Sequence, residues 1–282
     1  MKPVVRSPLR YPGGKARLFP FVANLISQNS LFDCDYAEPF AGGAGLALNL
    51  LFAGFCNSIS LNDLDPAIFC FWHSVTERND AFCELVEGIT FSIDEWYTQR
   101  EKWESHEKCS PLELGFAAYY LNRTNRSGII EGAGPIGGYK QLGNYRMDAR
   151  FSMGEQLSIL KAIGSAASAI NVTNLDAVTF IKKRDRREPQ FLYLDPPYYV
   201  KGQRLYRNSY AHNDHVEIAE LVRQFRGNWM VSYDDVIEIR DIYSWSQPLE
   251  IQLQYSAGPV AMGKEVIFLC DRLRENQRLA AA

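Results

Sequence analysis

The run Asp195-Pro196-Pro197-Tyr198 sets a carboxylate, two rigid backbone carbonyls and an aromatic ring side by side. It follows Phe191-Leu192-Tyr193-Leu194, an apolar stretch that reads as a buried strand ended by a breaker. The carboxylate then sits at the carboxyl end of a strand, where open α/β sheets bind their ligands. Proline fixes φ and removes an N–H donor, so nearby carbonyls are held still and point outward. This set suits chemistry on an amine conjugated with an aromatic ring, whose lone pair is a poor nucleophile. Asp195 can accept one N–H and the Pro196 carbonyl the other, shifting the nitrogen toward sp³ geometry. Tyr198 can stack on the ring. Alone, the motif is also an ordinary turn after a strand.

Two glycine-rich turns accompany it. Phe40-Ala41-Gly42-Gly43-Ala44-Gly45 lies between a strand pattern, Asp35-Tyr36-Ala37-Glu38, and a helix pattern, Leu46 to Phe52. Glycines there permit close backbone approach beside the free N–H groups of a helix start. The G-x-G-x-x-G dinucleotide fingerprint is absent. Asp63 lies 18 residues beyond Gly45, at the end of the next strand, a spacing that suits a carboxylate on the ribose of a nucleoside-like cofactor. The earlier turn, Tyr11-Pro12-Gly13-Gly14-Lys15, lacks the phosphate-loop frame, which disfavours nucleotide triphosphate hydrolysis. Lys15 can meet a carboxylate instead.

The elements that must carry these residues alternate. Strands are expected at 35–38, 58–61, 172–176, 191–194 and 229–233, with 250–255 and 264–270 pairing as closing antiparallel strands. Helices are expected from Asp65-Pro66 to about Val75, then at 80–86, 93–106, 111–121, 154–169 and 215–225. This is a doubly wound α/β domain formed by residues 1–76 and 151–282, with an insertion at 77–150. The insertion is mostly helical. Its end, 122–150, is rich in Gly, Asn and Arg and reads as irregular structure or a hairpin.

Composition narrows the class. The 282 residues are 46% hydrophobic, ample for a packed core, and no window of about 18 apolar residues spans a membrane. The N-terminal segment lacks an apolar stretch, which argues against a secretory signal. Six cysteines without a C-x-x-C pair suggest thiols in a reducing cytosol. His212 and His215 stand three apart with no third ligand in view, so no metal is expected. The net charge of −3 hides basic clusters. Between Asn122 and Arg150 there are five basic residues against two acidic, and Lys201, Arg204 and Arg207 follow the Pro-Pro motif. Phosphate affinity needs a basic face rather than a basic protein. The run 182–187 reads as solvated surface.

In order along the chain stand Pro12-Gly13-Gly14-Lys15, Glu38-Pro39-Phe40-Ala41-Gly42, Asn62-Asp63, Tyr120-Leu121-Asn122-Arg123 and Asp195-Pro196-Pro197-Tyr198. This ordered set resembles the Dam-type DNA adenine-N6 methyltransferases, from about residue 6 to 270. The resemblance implies a Rossmann-like sheet with helices on both faces, with S-adenosylmethionine as methyl donor. It implies that Tyr11, Lys15, Glu38, Phe40, Gly42, Asp63 and Asp176 line the cofactor site together with Asp195. Asp195 and Pro196 would hold the target amine, and Tyr198 would stack on a flipped-out adenine. Relatives often carry tryptophan where Tyr11 stands and glycine where Ala44 stands.

The insertion would then read double-stranded DNA, with Asn122, Arg123, Arg126 and Lys140 as contacts, arginine being suited to guanine O6 and N7. Residues 129–145 depart from the pattern of GATC readers, so that specificity is not carried over. A bacterial or phage-encoded protein is implied, cytoplasmic and nucleoid-associated, as monomer or weak dimer, with a restriction partner as one setting. Three other readings stay open: the same chemistry on RNA, cytosine-N4 methylation, and an inactive DNA-binding protein of the same fold.

Overall fold

Apolar runs that end in an acid or amide become the parallel strands at the centre of the molecule. The computed structural model describes residues 7–10, 14–184, 190–199, 210–255 and 261–273. Strands β1 (Asp35–Glu38), β2 (Ser58–Asn62), β4 (Gln190–Leu194) and β5 (Asn228–Asp234) are almost wholly buried. Such near-continuous apolar strands mark a sheet covered on both faces. With β3 (Ile170–Thr173), β6 (Leu249–Tyr255) and β7 (Ala261–Leu269) they form one seven-stranded sheet in the order β3-β2-β1-β4-β5-β7-β6. The first five strands are parallel, and β7 runs antiparallel between β5 and β6.

The strand order reverses between β1 and β4. Right-handed crossovers then put the helices of the two halves on opposite faces, and the crevice above the β1–β4 junction is where ligands bind in such sheets. In chain order the helices are α1 (Phe19–Gln28), α2 (Gly45–Phe52), α3 (Pro66–Glu77), α4 (Asn79–Glu87), α5 (Ile93–Glu104), α6 (Pro111–Thr124), α7 (Met153–Ser165), α8 (Ala177–Arg184), α9 (His212–Gln224) and α10 (Ile237–Ile242). Local signals set their starts. Asp65 caps α3 by accepting from Ala67 N–H ahead of Pro66, and Ser110 and Glu113 form a reciprocal capping box on α6.

Helices α4 to α6 and the loop to residue 150 lie between α3 and β3. They share the core of the sheet: Phe71 and Trp72 of α3, Phe82 of α4 and Tyr119 of α6 belong to one buried cluster. Each fully buried side chain of this size contributes about 1.5–3 kcal/mol. Gly115 makes the α3–α6 approach possible, since a Cβ there would fall 2.5 Å from the Cys70 carbonyl oxygen.

Three expectations change. Of the two readings of 122–150 the irregular one holds and the hairpin drops out, with a single antiparallel bridge, Asn125–Pro135. Gly128, Gly132, Gly137 and Gly138 all have positive φ, outside the region of regular strands, and the Gln141 side chain ties the loop together. Its amide donates to the Ile136 and Gly138 carbonyls and its oxygen accepts from Met147 N–H. Strand β3 ends at Thr173 rather than running to Asp176, because Asp176 turns to cap α8 at Val178 and Thr179. Finally, α5 stops at Glu104, and a separate short turn covers His106–Lys108.

No described helix is long and apolar enough to cross a membrane. The six cysteines are free thiols. Among the described residues no cluster of His, Cys, Asp and Glu could hold a metal ion. His212 and His215 bond to different partners, Tyr199 and Tyr233.

Candidate active site

The strand ends deliver carboxylates to one place. Asp195 follows β4, Glu38 closes β1, Asp63 follows β2, and Glu265 lies in β7 beside the end of β5. Against them the chain sets Lys15, which opens a short turn, Lys15–Leu18, before α1. Its ammonium stands 2.8 Å from Asp195 Oδ1, 2.9 Å from Oδ2 and 3.4 Å from Glu265 Oε1. It also donates to the Tyr198 hydroxyl at 3.0 Å.

Asp195 is oriented from a second side. Ser232 of β5 donates to Oδ1 at 2.9 Å, and Tyr193 stands 2.8 Å from the same serine hydroxyl. The carboxylate is therefore held by β4, β5 and Lys15 together. Burial pushes the Asp195 carboxyl up, against the opposing pull of Lys15 and with the help of Glu265. Burial pushes Lys15 down, but the facing carboxylates outweigh it and keep the ammonium charged. Tyr198 is buried, its hydroxyl donating to Glu265, and Pro196 is buried beside it. The Tyr199 N–H that follows is anchored on Asp234 at 3.1 Å.

Glu38 has a different environment. It accepts a hydrogen bond from Tyr36 at 3.0 Å, and no cation faces it among the described residues. Burial raises its carboxyl to about 8. A buried carboxyl without a counter-ion suits a ligand that brings a positive charge. Asp63 accepts from Gly42 N–H at 2.8 Å and Asp65 N–H at 3.0 Å, and burial with the neighbouring Asp65 raises it to about 7. Gly42 has φ +45°, and its carbonyl takes the Trp72 indole N–H, so the turn is tied to α3. Ala44 also has φ +45°, a left-handed conformation that glycine adopts without strain. Phe40 meets Tyr210 edge-on at 5.7 Å, forming an apolar wall near Asp63 and Asp176, both of which push the Tyr210 hydroxyl up, after burial. Asp176 is exposed.

Lys15, Glu38, Phe40, Gly42, Asp63, Asp176, Asp195, Pro196 and Tyr198 thus stand at the carboxyl ends of the central strands or in the turns beside them. Tyr11 lies outside the described residues, as do Lys201, Arg204 and Arg207. Residues 11–257 match the family of D12 class N6 adenine-specific DNA methyltransferases. The chain belongs to this family. Nothing among the curated proteins matches. Among solved structures, a protein of Haemophilus influenzae described as a methylase is similar at 10% identity and a TM-score of 0.34, over 90% of this chain and 88% of that one.

Two expected DNA contacts of the methyltransferase are relocated. Asn122 is 1% exposed, and its amide accepts from Arg10 N–H and donates to the carbonyls of Arg10 and Gly128. Arg123 is buried against the Phe151 ring and donates to the carbonyls of Pro8 and Arg150. Both are consumed in clamping the segment before Lys15 to the insertion, so neither is placed to meet a base. Gly128 belongs to the same clamp: its φ is +74°, and a Cβ would fall 2.1 Å from the Arg10 carbonyl oxygen. Arg126 and Lys140 remain exposed.

Two features escaped the sequence reading. Glu265 was hidden because a charge in an edge-like strand reads as solvated. The exposed Tyr97 and Tyr139 stack at 6.2 Å beside Trp96, with Leu142 and Tyr145 exposed nearby in the chain. An i, i+1 pair, Trp96-Tyr97, on an otherwise polar helix was the available signal.

Proposed function

We propose that this protein transfers the methyl group of S-adenosylmethionine to the N6 amine of an adenine flipped out of double-stranded DNA, within a short recognition sequence. The carrying observation is Asp195 at the end of β4, held by Ser232 and Lys15 in a crevice where Glu38 has no cation of its own. The cofactor is a sulfonium with an amino-acid end, and it supplies an electrophilic methyl group that needs no metal.

The residues present fit it. Glu38 would receive the ammonium, which lowers its carboxyl from about 8 by supplying the missing positive charge. Asp63, its oxygens already ordered by Gly42 and Asp65, would accept from ribose hydroxyls. Phe40 would cover one side of the cofactor base, with Asp176 at its rim. Lys15 serves the carboxylates of this site.

Asp195 and the Pro196 carbonyl would take the two N–H bonds of the target amine and fix its lone pair toward the methyl group. Alignment of this kind supplies much of the barrier reduction in a displacement. Asp195 need not be a strong base, since the nitrogen becomes acidic only as the N–C bond forms. Unstacking the adenine costs a few kcal/mol, offset by contacts to the base edge and by stacking on Tyr198. Residues 77–150 would form the DNA-reading part, with Arg126 and Lys140 at phosphates or base edges.

Exposure of unmethylated genomic DNA to the purified protein and S-adenosylmethionine, followed by mapping of modified bases, tests the reading. N6-methyladenine in one recurring short sequence supports it. Modification of RNA alone, of cytosine, or of nothing would replace it with one of the three other readings.

A further inference from the structure

Glu265 is the acid in this site for which neither a motif nor the reaction gives a reason. It is 1% exposed and precedes Val266, Ile267 and Phe268, all fully buried. An apolar residue would fit a strand at this depth, and burying a carboxylate is unfavourable unless it is paired. Among its partners are the Tyr198 hydroxyl, which donates to it, and Lys15 Nζ at 3.4 Å. Both of those groups also touch the catalytic loop.

The arrangement at Asp195 explains the need. Lys15 lies against both oxygens of Asp195, and Ser232 occupies one of them as well. An N–H of a target amine arriving at Oδ2 would share that oxygen with Lys15 and weaken the ion pair. A buried ammonium cannot be left without an anion. Glu265 is already within ion-pair distance of it.

We propose that Glu265 is a positioning residue for methyl transfer: it takes Lys15 over from Asp195 as the target amine arrives, and it keeps Tyr198 in place through the ring hydroxyl. The proposal rests on the adenine-N6 reading above. Lys15 stays protonated throughout, and the exchange moves no proton. Neutralising Glu265 would strengthen the hold of Lys15 on Asp195 and so keep that carboxylate in its ground-state pairing. The groups facing Asp195 are Lys15 from the turn before α1, Glu38 from β1, Tyr193 and Tyr198 from β4 and its loop, Ser232 from β5 and Glu265 from β7.

The test uses Glu265→Gln, Glu265→Asp, Lys15→Met and the double variant Lys15→Met/Glu265→Gln in the full chain. Single-turnover methylation of duplex DNA, S-adenosylmethionine affinity and the acylation rate of Lys15 without ligands are measured. Glu265→Gln should slow transfer by about 10–100-fold with cofactor affinity within about threefold. Its acid limb should move to lower pH, because a negative neighbour of Asp195 has gone. Glu265→Asp, which keeps the charge, should recover most of the rate. In the Lys15→Met background, Glu265→Gln should cost less than about threefold, since coupled groups are not additive. Lys15 should acylate several-fold faster in Glu265→Gln, because losing a counter-ion favours the neutral amine.

Wild-type transfer rates in Glu265→Gln, an unmoved acid limb or a full multiplicative loss in the double variant would overturn the proposal. If the wild-type protein methylates no adenine, the adenine-N6 reading fails. The Glu265–Lys15 pairing is then judged by acylation alone, and an unchanged rate overturns it.

Discussion

The floor of the site and the loop that overlooks it are built by opposite means. The floor is a set of ionisable groups at the strand ends: Lys15, Asp195 and Glu265 are fixed by neighbours on other strands or turns, and Glu38 by Tyr36 of its own strand. The loop from Ile129 to Arg150 is mostly exposed and is held by backbone bonds and by a few side chains, Gln141 within it and Asn125 and Arg123 at its ends. Burial makes each polar partner on the floor mandatory, because a missing one leaves a desolvated group behind. Exposure lets the loop change its side chains at little cost. On the proposed reading, chemistry sits where substitution is punished and recognition where it is tolerated.

The sharpest way to break that contrast is Asp195→Ala. Loss of one positioned group of this kind should lower methyl transfer by at least about 10²–10³-fold, with cofactor binding within severalfold by titration. A folded variant that still methylates at a comparable rate would remove Asp195 from the chemistry. Gly128→Ala strikes the joint between the two regions. The added Cβ meets the Arg10 carbonyl and the φ is unfavourable, so denaturant unfolding should show a loss of about 2–3 kcal/mol.

The acidity of the floor gives a pH test. Glu38 is raised to about 8 and Asp63 to about 7 in the ligand-free protein. The folded form thus holds protons that the unfolded chain has released. Stability from these two groups is fully present below the ordinary carboxyl range and is lost as pH rises toward 7–8. Cofactor affinity should run the other way, rising with pH until Glu38 is ionised near 8. Calorimetric titration across that range checks both signs.

On the rim, Arg126→Ala and Lys140→Ala should leave stability within about 0.5 kcal/mol. Each should weaken DNA binding, and a lost phosphate contact should reduce the salt slope by about 0.9. The smallest effect is expected from Ala44→Gly, where relief of the left-handed strain is partly offset by unfolded-chain entropy. A gain below about 1 kcal/mol in thermal unfolding is anticipated.

Strands β1, β2, β4 and β5 were legible because each is a short apolar run with an acid or amide at its exit, a pattern that burial on both faces enforces. The position of Asp195, Glu38 and Asp63 followed from it. Strand β3 was misplaced by two residues at its start and three at its end because Ile170–Thr173 is a partly exposed edge with little apolar signal. Asn122 and Arg123 were misread because polarity suggests surface, and local pattern cannot show that a segment 112 residues away uses their hydrogen bonds. Glu265 was missed for the converse reason: only the sheet order, which inserts β7 between β5 and β6, brings it to Lys15.

The clamp at Asn122 and Arg123 has a practical consequence. Its hydrogen bonds reach main-chain atoms of Pro8, Arg10, Gly128 and Arg150. A fastening that grips only peptide groups is blind to the side chains on either side of it. Residues 129–149 could accordingly be exchanged for a stretch with another target preference while the fastening stays intact. On the proposed reading the fastening thus delimits an exchangeable stretch, with Gly128 and Arg150 at its two ends.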